Sequence, residues 1–556
     1  MKLTGAQIFV ECLKHEDVQV VFGYPGGVVL KIYDILYHRE IRHILVRQEH
    51  AAVHAADGYA RASGRVGVCL GTSGPGATNM VTGIATAMMD SVPMVAFTGQ
   101  VSTKSIGKDS FQETDATGIT MPIVKHNYLV KDVRDMPRVI REAFHIARTG
   151  RPGPVLVDLP KDVSMAECEY VPVDKVDLRG YRPTTHGHPR QIASAAHAIE
   201  TAERPVLYVG GGVIMADAAP ELFDIATRLN IPVTNTLLAK GAFPEDHPLS
   251  LGMLGMHGSV YANYAVNDCD LLIAVGARFD DRVTGKVESF SPESKKIHID
   301  IDPAEIGKTV EVDIPIVGDA RNVLAALGEQ LSAKRHDDWI AQIDQWKERY
   351  PFKYQQRADV IMPEYVIEEL YRATGGRAYV TTDVGQHQMW AAQYYKCSTP
   401  HQFISSGGLG TMGFGLPSAI GVQVARPDDV VLSINGDGGI QMNSQELITA
   451  VEQKLPIKIV IINNQYLGMV RQWQQLFHGN RLSSVDLSMQ PDFVKLADAY
   501  HCVGWRIDKP EDVGPAIARA LEVKDGPCIL DFWVAREENV LPMVPAGGSI
   551  DQMVID

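Results

Sequence analysis

No two of the seven cysteines are spaced as CxxC, and their number is odd. They stand at 12, 69, 168, 269, 397, 502 and 528, a scatter that argues against a disulfide framework or a zinc site and for reduced, inert thiols. Apolar runs are also short. IKIVII at 457–462 is strand-length and far below what a bilayer span needs. The N-terminus, MKLTGAQIFVECLKHEDVQVVFG, reads as an amphipathic helix and then a strand. It has neither the basic head and small-residue cleavage site of a secretory signal nor an Arg/Ser-rich transit composition. Lys and Arg form no cluster, and the net charge is −15, so the footprint of nucleic-acid binding is missing. These absences predict a soluble cytoplasmic protein with no nucleic-acid or membrane partner. An anionic small substrate stays open, because a few local cations can hold a carboxylate inside an acidic chain.

What is present is ordinary globular material, 45% hydrophobic and 21% charged over 556 residues. Short β-rich runs, Gly-rich turns and helical patterns alternate in three blocks, which predicts an α/β fold of three doubly wound parallel-sheet domains. The first is expected over 1–163, the second over 190–333 and the third over 361–534, with a tail at 535–556. The charged, Pro- and His-containing stretch 164–190 reads as a linker, and the polar, aromatic stretch 333–360 as a helical one. VQVVFGYPGG (18–27), RVGVCLGTSGPG (65–76) and VPMVAFTG (92–99) each end in glycine where an open parallel sheet takes its ligands. Blocks one and three share this rhythm without residue-by-residue similarity.

The most informative stretch is 429–464. A β-branched strand, VVLSI, runs into Asn435-Gly436-Asp437-Gly438. A helical segment follows, and then a second strand that ends in Asn463-Asn464, with 24 residues between Gly438 and Asn463. Glycines let a backbone approach a diphosphate, and a lone carboxylate with an amide oxygen suits Mg²⁺, which keeps phosphate and water for its other positions. This GDG…NN arrangement resembles the signature of thiamine-diphosphate enzymes. By that resemblance Asp437 and Asn464 ligate the metal with side chains and Tyr466 with its carbonyl, while Gly436 and Gly438 line the diphosphate. A literal GxGxxG, GLGTMG at 408–413, invites a dinucleotide reading. No clean strand is evident before it, however, and no ribose-reading acid follows. In the thiamine family the same segment wraps the aminopyrimidine, with the Gly410 carbonyl and the Met412 side chain against the cofactor.

From FGYPGG at 22–27 to ENVLPMVPAGGSIDQM at 538–553, the chain resembles the catalytic subunit of the FAD-containing acetohydroxyacid synthase family. The resemblance implies decarboxylation of pyruvate and condensation of the two-carbon unit with a second 2-keto acid, pyruvate or 2-ketobutyrate. That is the first common step of branched-chain amino acid biosynthesis. It implies that Glu49, in VRQEHAAVHAADG where strand IRHILV meets a helix, hydrogen-bonds the aminopyrimidine nitrogen and promotes ylid formation. It assigns the acceptor carboxylate to Arg282 of FDDRVTG, whose guanidinium is planar, bidentate and always charged, and the acceptor wall to Trp473 of GMVRQW. Gln112, beside Phe111, and Lys161 join the catalytic set. Gly26, Val384, Gln386, His387, Met469 and Val470 join the thiamine pocket. In the middle block, VGGGVI, LGMLGMHG, GARFDDRVTG and HIDIDPAEIG imply FAD held by Gly210, Gly211, Gly212, Met256, His257, Gly276, Arg278, Asp300 and Asp319, with Arg151 from the first block. The family's sites lie between subunits, which implies a homodimer or homotetramer, with a separate regulatory small subunit as partner.

Related chemistries remain open at this stage. Pyruvate oxidase shares folds and FAD but would reduce the flavin, and Arg282 with the QW motif argues against it. Non-oxidative decarboxylases commonly use adjacent histidines, and no HH occurs here. Catabolic acetolactate synthase performs the same condensation without FAD, and the intact RFDDRVTG argues against it. Outside the superfamily, an NAD-dependent dehydrogenase or a non-catalytic α/β module would need all these motifs to be coincidental.

Overall fold

The computed structural model describes residues 1–38 and 41–555. Three six-stranded sheets, every strand parallel to its neighbours, form the molecule's frame. The central strands are buried and rich in Val, Ile and Leu, as expected where helices cover both faces, while edge strands such as His126–Leu129 and Val503–Ile507 are partly exposed. The first sheet is ordered Arg42–Leu45, Val20–Gly23, Gly67–Gly71, Met94–Gln100, Pro154–Pro160, His126–Leu129. The third is ordered Phe403–Ser405, Tyr379–Thr382, Val431–Gly436, Lys458–Asn463, Cys528–Trp533, Val503–Ile507. Counted from the first strand of each block, both read 2-1-3-4-6-5. The middle sheet, Ser250–Met253, Val233–Asn235, Pro205–Val209, Leu271–Val275, Lys295–Asp300, Ile314–Val317, reads 3-2-1-4-5-6, the order of dinucleotide-binding sheets. The outer two blocks are topological twins and the middle one is not.

The outer blocks are fused within one chain by two helices, Glu49–Ser63 and Gly415–Ala425. Their backbones touch. A β-carbon on Gly421 would lie 1.8 Å from the Ala55 carbonyl oxygen, and one on Gly58 would lie 2.2 Å from that of Ser418. One apolar core therefore runs from Val53 and Ala56 of the first block to Ile420 and Ile461 of the third. Under this crossing Arg61 is buried between Asp57, at 2.7 Å, and Asp90, at 2.8 Å, and donates to the Ser405 carbonyl.

The stretch 164–190 is largely irregular, but Glu167–Glu169 pairs antiparallel with Lys2–Thr4, a strand the sequence reading did not anticipate. The stretch 333–360 carries the helix Asp337–Arg349. Past residue 535 the chain crosses back to the middle block. The Val544 amide donates to the Met256 carbonyl, Gly548 accepts from the Lys286 amide, and Ile550 enters that block's core. Among the described residues no helix is long and apolar enough to cross a membrane.

Candidate active site

The C-terminal ends of the third sheet's strands gather Asp437, Asn464 and His387. Asp437 opens a short helix directly after Val431–Gly436 and is 1% exposed. Its Oδ2 is buried without a hydrogen-bond partner, and burial pushes the carboxyl up to about 7. A buried carboxylate oxygen left unpaired is costly, and a cation satisfies it. Asn464 is held in place. Its amide donates to Gln386 Oε1 at 2.9 Å, and its Oδ1 accepts from the Tyr466 amide at 3.2 Å. Tyr466 is fixed from outside by Arg536, whose guanidinium lies 4.4 Å from the ring centre. One carboxylate, one amide oxygen and one backbone carbonyl are a hard-oxygen set that fits Mg²⁺.

Gln386 was expected to line the cofactor. Its side chain is buried: Oε1 accepts from the Asn464 amide, while Nε2 donates to Gln472 Oε1 and to the Glu538 carbonyl. His387 is buried against Gly436, where a β-carbon would come within 2.8 Å of its Nδ1, and burial lowers it to about 3, so the ring is neutral.

The segment 406–415 crosses this end of the sheet as a loop. A short strand, Phe403–Ser405, does precede it, which corrects the expectation of none; three residues carry too little periodicity to be read. The loop still differs from a dinucleotide cradle, because the amides of two glycines of the motif, Gly408 and Gly413, are already engaged. Gly407 and Gly408 donate to Asp90, and Gly413 and Gly415 donate to Asp383. Asp383 is fully buried and, mainly by burial, is raised to about 6. Neither aspartate was singled out from sequence, although Asp383 directly precedes Val384 at a strand's end. Gly410, in the left-handed region at φ +69°, and Met412 face the cavity beside the loop.

A cavity of about 940 Å³ opens between this loop, the middle block and the first block. Val384, Gly410, Met412, Met469, Val470 and Trp473 line one end. Gly210, Gly211, Gly212, Met256, His257, Gly276, Arg278, Arg282, Asp300 and Asp319 line the rest, with Arg151 reaching in from the first block. Gly210 and Gly212 are glycines partly for internal reasons, since β-carbons there would meet the Gly276 backbone at 2.1 and 2.7 Å. That close approach strips the cavity floor of side chains. Arg151 is oriented by Ser91 and Glu305, at 2.8 Å each. Asp300 ends a strand and is pushed by burial up to about 6, whereas Asp319 caps the helix Ala320–Gly328 through the Asn322 amide. Burial lowers His257 to about 4, and Arg282 opposes its protonation further.

Arg282 and Trp473 come from different blocks and meet at the cavity mouth, with the guanidinium carbon 5.8 Å from the indole centre. Arg278 takes Asp280 at 2.6 Å, which leaves Arg282 only a loose contact with Asp281 at 3.6 Å. The guanidinium is 60% exposed and free to bind an anion.

The remaining expected residues form a separate group at the first sheet's strand ends. Glu49, half-buried, opens the helix Glu49–Ser63 and accepts from Asn79 at 3.0 Å. A β-carbon on Gly76 would lie 3.3 Å from Glu49 Oε1 and 2.7 Å from Thr72, and one on Gly26 would press on Thr72. Gln112 packs its backbone on Gly74, and beside it Phe111 is 88% exposed. Lys161 is exposed at the end of Pro154–Pro160. None of Gly26, Glu49, Gln112 and Lys161 lines the cavity. One chain therefore carries two separate groups of expected residues, with exposed apolar side chains in both blocks: Tyr24, Phe111 and Met121 in the first, Leu409, Met442 and Val470 in the third.

Two groups of this kind, on twin sheets flanking a third, define a thiamine-dependent enzyme. Models described as thiamine pyrophosphate enzyme N-terminal TPP binding domain, central domain and C-terminal TPP binding domain match residues 3–119, 192–327 and 383–532. The chain is 52% identical to the acetolactate synthase of Mycobacterium leprae, over 99% of this chain and 90% of that one. It is 52% identical to the acetolactate synthase large subunit of Corynebacterium glutamicum, over 99% and 89%. It is 50% identical to the isozyme 3 large subunit of Escherichia coli K12, over 99% and 98%. The chain belongs to the acetolactate synthase family, as a catalytic large subunit.

Proposed function

We propose that the chain joins pyruvate to a second 2-keto acid, giving 2-acetolactate from pyruvate and 2-aceto-2-hydroxybutyrate from 2-ketobutyrate, in the cytoplasm and in branched-chain amino acid biosynthesis. The observation that carries this reading is the meeting of Arg282 and Trp473 in the cavity that Met412 and Val384 also line. It provides a largely exposed cation, held only loosely by Asp281, for a carboxylate beside an apolar wall. Asp437, Asn464 and the Tyr466 carbonyl would hold Mg²⁺, with Gly436 and Gly438 leaving room for a diphosphate. Thiamine diphosphate, when bound, supplies a nucleophilic carbon and an electron sink for loss of CO₂.

The chain's own residues do the rest. Glu49 holds a proton at the aminopyrimidine ring nitrogen. Arg282 binds the acceptor's carboxylate and orients its carbonyl. Trp473 and Val470 shape the space for the acceptor's alkyl group and keep water from it. The Gly-lined cavity, with Arg151 and Asp300, fits FAD, which supplies no net redox chemistry to this condensation. Because Glu49 lies apart from Arg282 and Trp473, the working site takes Glu49, Gly26, Gln112 and Lys161 from a second copy, so the minimal unit is a homodimer, with tetramers open to it. The relatives' designation as large subunits supports a separate regulatory small subunit.

Purified protein assayed with pyruvate alone and with added 2-ketobutyrate, with and without thiamine diphosphate and Mg²⁺, should give the two acetohydroxy acids only with both cofactors. It should release flavin on denaturation. Acetate with flavin reduction, or acetaldehyde alone, would replace this reading by an oxidase or a decarboxylase.

A further inference from the structure

Glu49 belongs to the first block, but the turn that carries it is gripped by the third block of the same chain. Glu446 is fully buried. Its carboxylate accepts from the Arg47 backbone amide at 2.9 Å and from the Thr449 hydroxyl at 2.8 Å. On the other side of Glu49, His50 Nε2 donates to Asn443 Oδ1 at 2.6 Å. Asn443, 2% exposed, in turn donates its amide to the Gly413 carbonyl at 2.6 Å. The outer end of Arg47 meets Glu452 at 2.9 Å, and the Gln48 side chain accepts from the His50 amide at 2.8 Å.

The residues flanking Glu49 are thus fixed by side chains from another domain, while the Glu49 carboxylate itself contacts only Asn79 among the described hydrogen bonds. Burying a carboxylate costs free energy, and burial pushes Glu446 up to about 7. A hydrophobic residue would join the two blocks at less cost. What Glu446 and Asn443 add is direction, because each hydrogen bond fixes the backbone or ring next to Glu49.

We propose that Glu446 and Asn443 are positioning residues for Glu49, registering the 45–50 turn on the third block and, through Gly413, on the loop 406–415. The inference rests on the reading of Glu49 as the proton-holding group. It adds a physical link: the segment 443–449 that aims Glu49 toward a second copy also anchors this copy's own cofactor loop.

The test uses the full-length enzyme and the variants Glu446→Ala, Glu446→Gln, Asn443→Ala and Glu49→Gln. Hydrogen–deuterium exchange is read on peptides spanning 45–51 without added thiamine diphosphate, and kcat and pyruvate KM with it. Glu446→Ala should speed exchange in 45–51 alone, and Asn443→Ala in 45–51 and the loop 406–415; both should lower kcat ~10–100-fold, the scale of a misplaced catalytic group, with pyruvate KM little changed. Glu446→Gln keeps the acceptor for Arg47 and should restore most of the rate. Asn443→Ala also frees Gly413 and should weaken thiamine diphosphate binding, which Glu446→Ala should leave alone. Wild-type kcat in both alanine variants, or exchange rising throughout the chain rather than at 45–51, overturns the assignment. Should Glu446→Ala fail to fold, Asn443→Ala and Glu446→Gln decide by the same readings. Near-wild-type activity in Glu49→Gln would instead sink the functional reading. Loss there, with no loss in the clamp variants, sinks this inference alone.

Discussion

The first and third blocks have the same strand order and the same glycine-rich strand ends, but they carry opposite equipment. The first ends in a half-buried carboxylate, Glu49, on a helix N-terminus beside exposed Phe111. The third ends in a buried, unpaired Asp437 oxygen beside a fixed Asn464. Under the proposed function, one twin acts on a ligand and the other holds it. Topology therefore says where a ligand goes, and only the side chains say what happens to it. Both ends lie open in one chain, and that predicts assembly. Glu49→Gln and Asp437→Ala should each abolish turnover, by roughly a thousandfold or more, as expected for losing a positioned acid–base group or a cofactor anchor. Mixed in equal amounts and allowed to exchange subunits, the two dead chains should recover about a quarter of wild-type activity, because about half the dimers are mixed and each regains one intact site. No recovery despite proven exchange would mean that each chain completes its own site.

The middle block sharpens the contrast, since beside its Gly-lined cavity it adds a cation. Arg282 has no firm ion pair and meets Trp473 across the domain boundary. Arg282→Ala should raise the acceptor's apparent KM ~10–100-fold, matching the loss of a charge-assisted carboxylate contact, while flavin content stays unchanged. Arg282→Lys should recover only part, because an ammonium cannot reproduce the planar fork. Unaltered acceptor kinetics would return Arg282 to the surface. Trp473→Leu should act more gently. Acetolactate formation should persist, while the preference for 2-ketobutyrate over pyruvate falls by about tenfold, the worth of roughly one methylene in an apolar pocket. Product ratios from the two acceptors in competition measure it directly.

Much of this was legible in the sequence, for a physical reason. Backbone-limited features, such as the Gly436-Asp437-Gly438 turn and the parallel strands, write themselves into local composition, so the three sheets and the placing of Asp437 and Asn464 at adjacent strand ends could be read directly. The long-range contacts could not. Nothing in the sequence shows that Gln386 supports Asn464, that Asp90 holds Gly407 and Gly408, or that Glu446 grips Arg47. Each pairs residues far apart in the chain with no periodicity to announce it. The short strands Phe403–Ser405 and Glu167–Glu169 escaped because three residues cannot establish an alternation.

The smallest expected effect returns to the twins. Each carries a buried aspartate on the equivalent sixth strand, Asp158 in the first and Asp531 in the third. Asp531 shares its place with Arg506, Asn463 and the Trp533 indole. Asp158 has only the neutral donors Thr98, at 2.7 Å, and Gln100, at 2.9 Å, and burial pushes it up to about 7. A carboxyl whose folded pKa is raised binds its proton more tightly in the native state. Its stabilising contribution is therefore complete below the ordinary aspartate range and is lost as pH rises toward 7. The wild-type melting temperature, measured at a fixed scan rate, should accordingly decline between pH 5 and pH 8. Asp158→Asn, whose amide can still accept from Gln100 and donate to Thr98, should flatten that decline. An equal slope in the variant would mean that Asp158 is already ionised in the native protein, and that the first block tolerates a buried charge without the cation its twin provides.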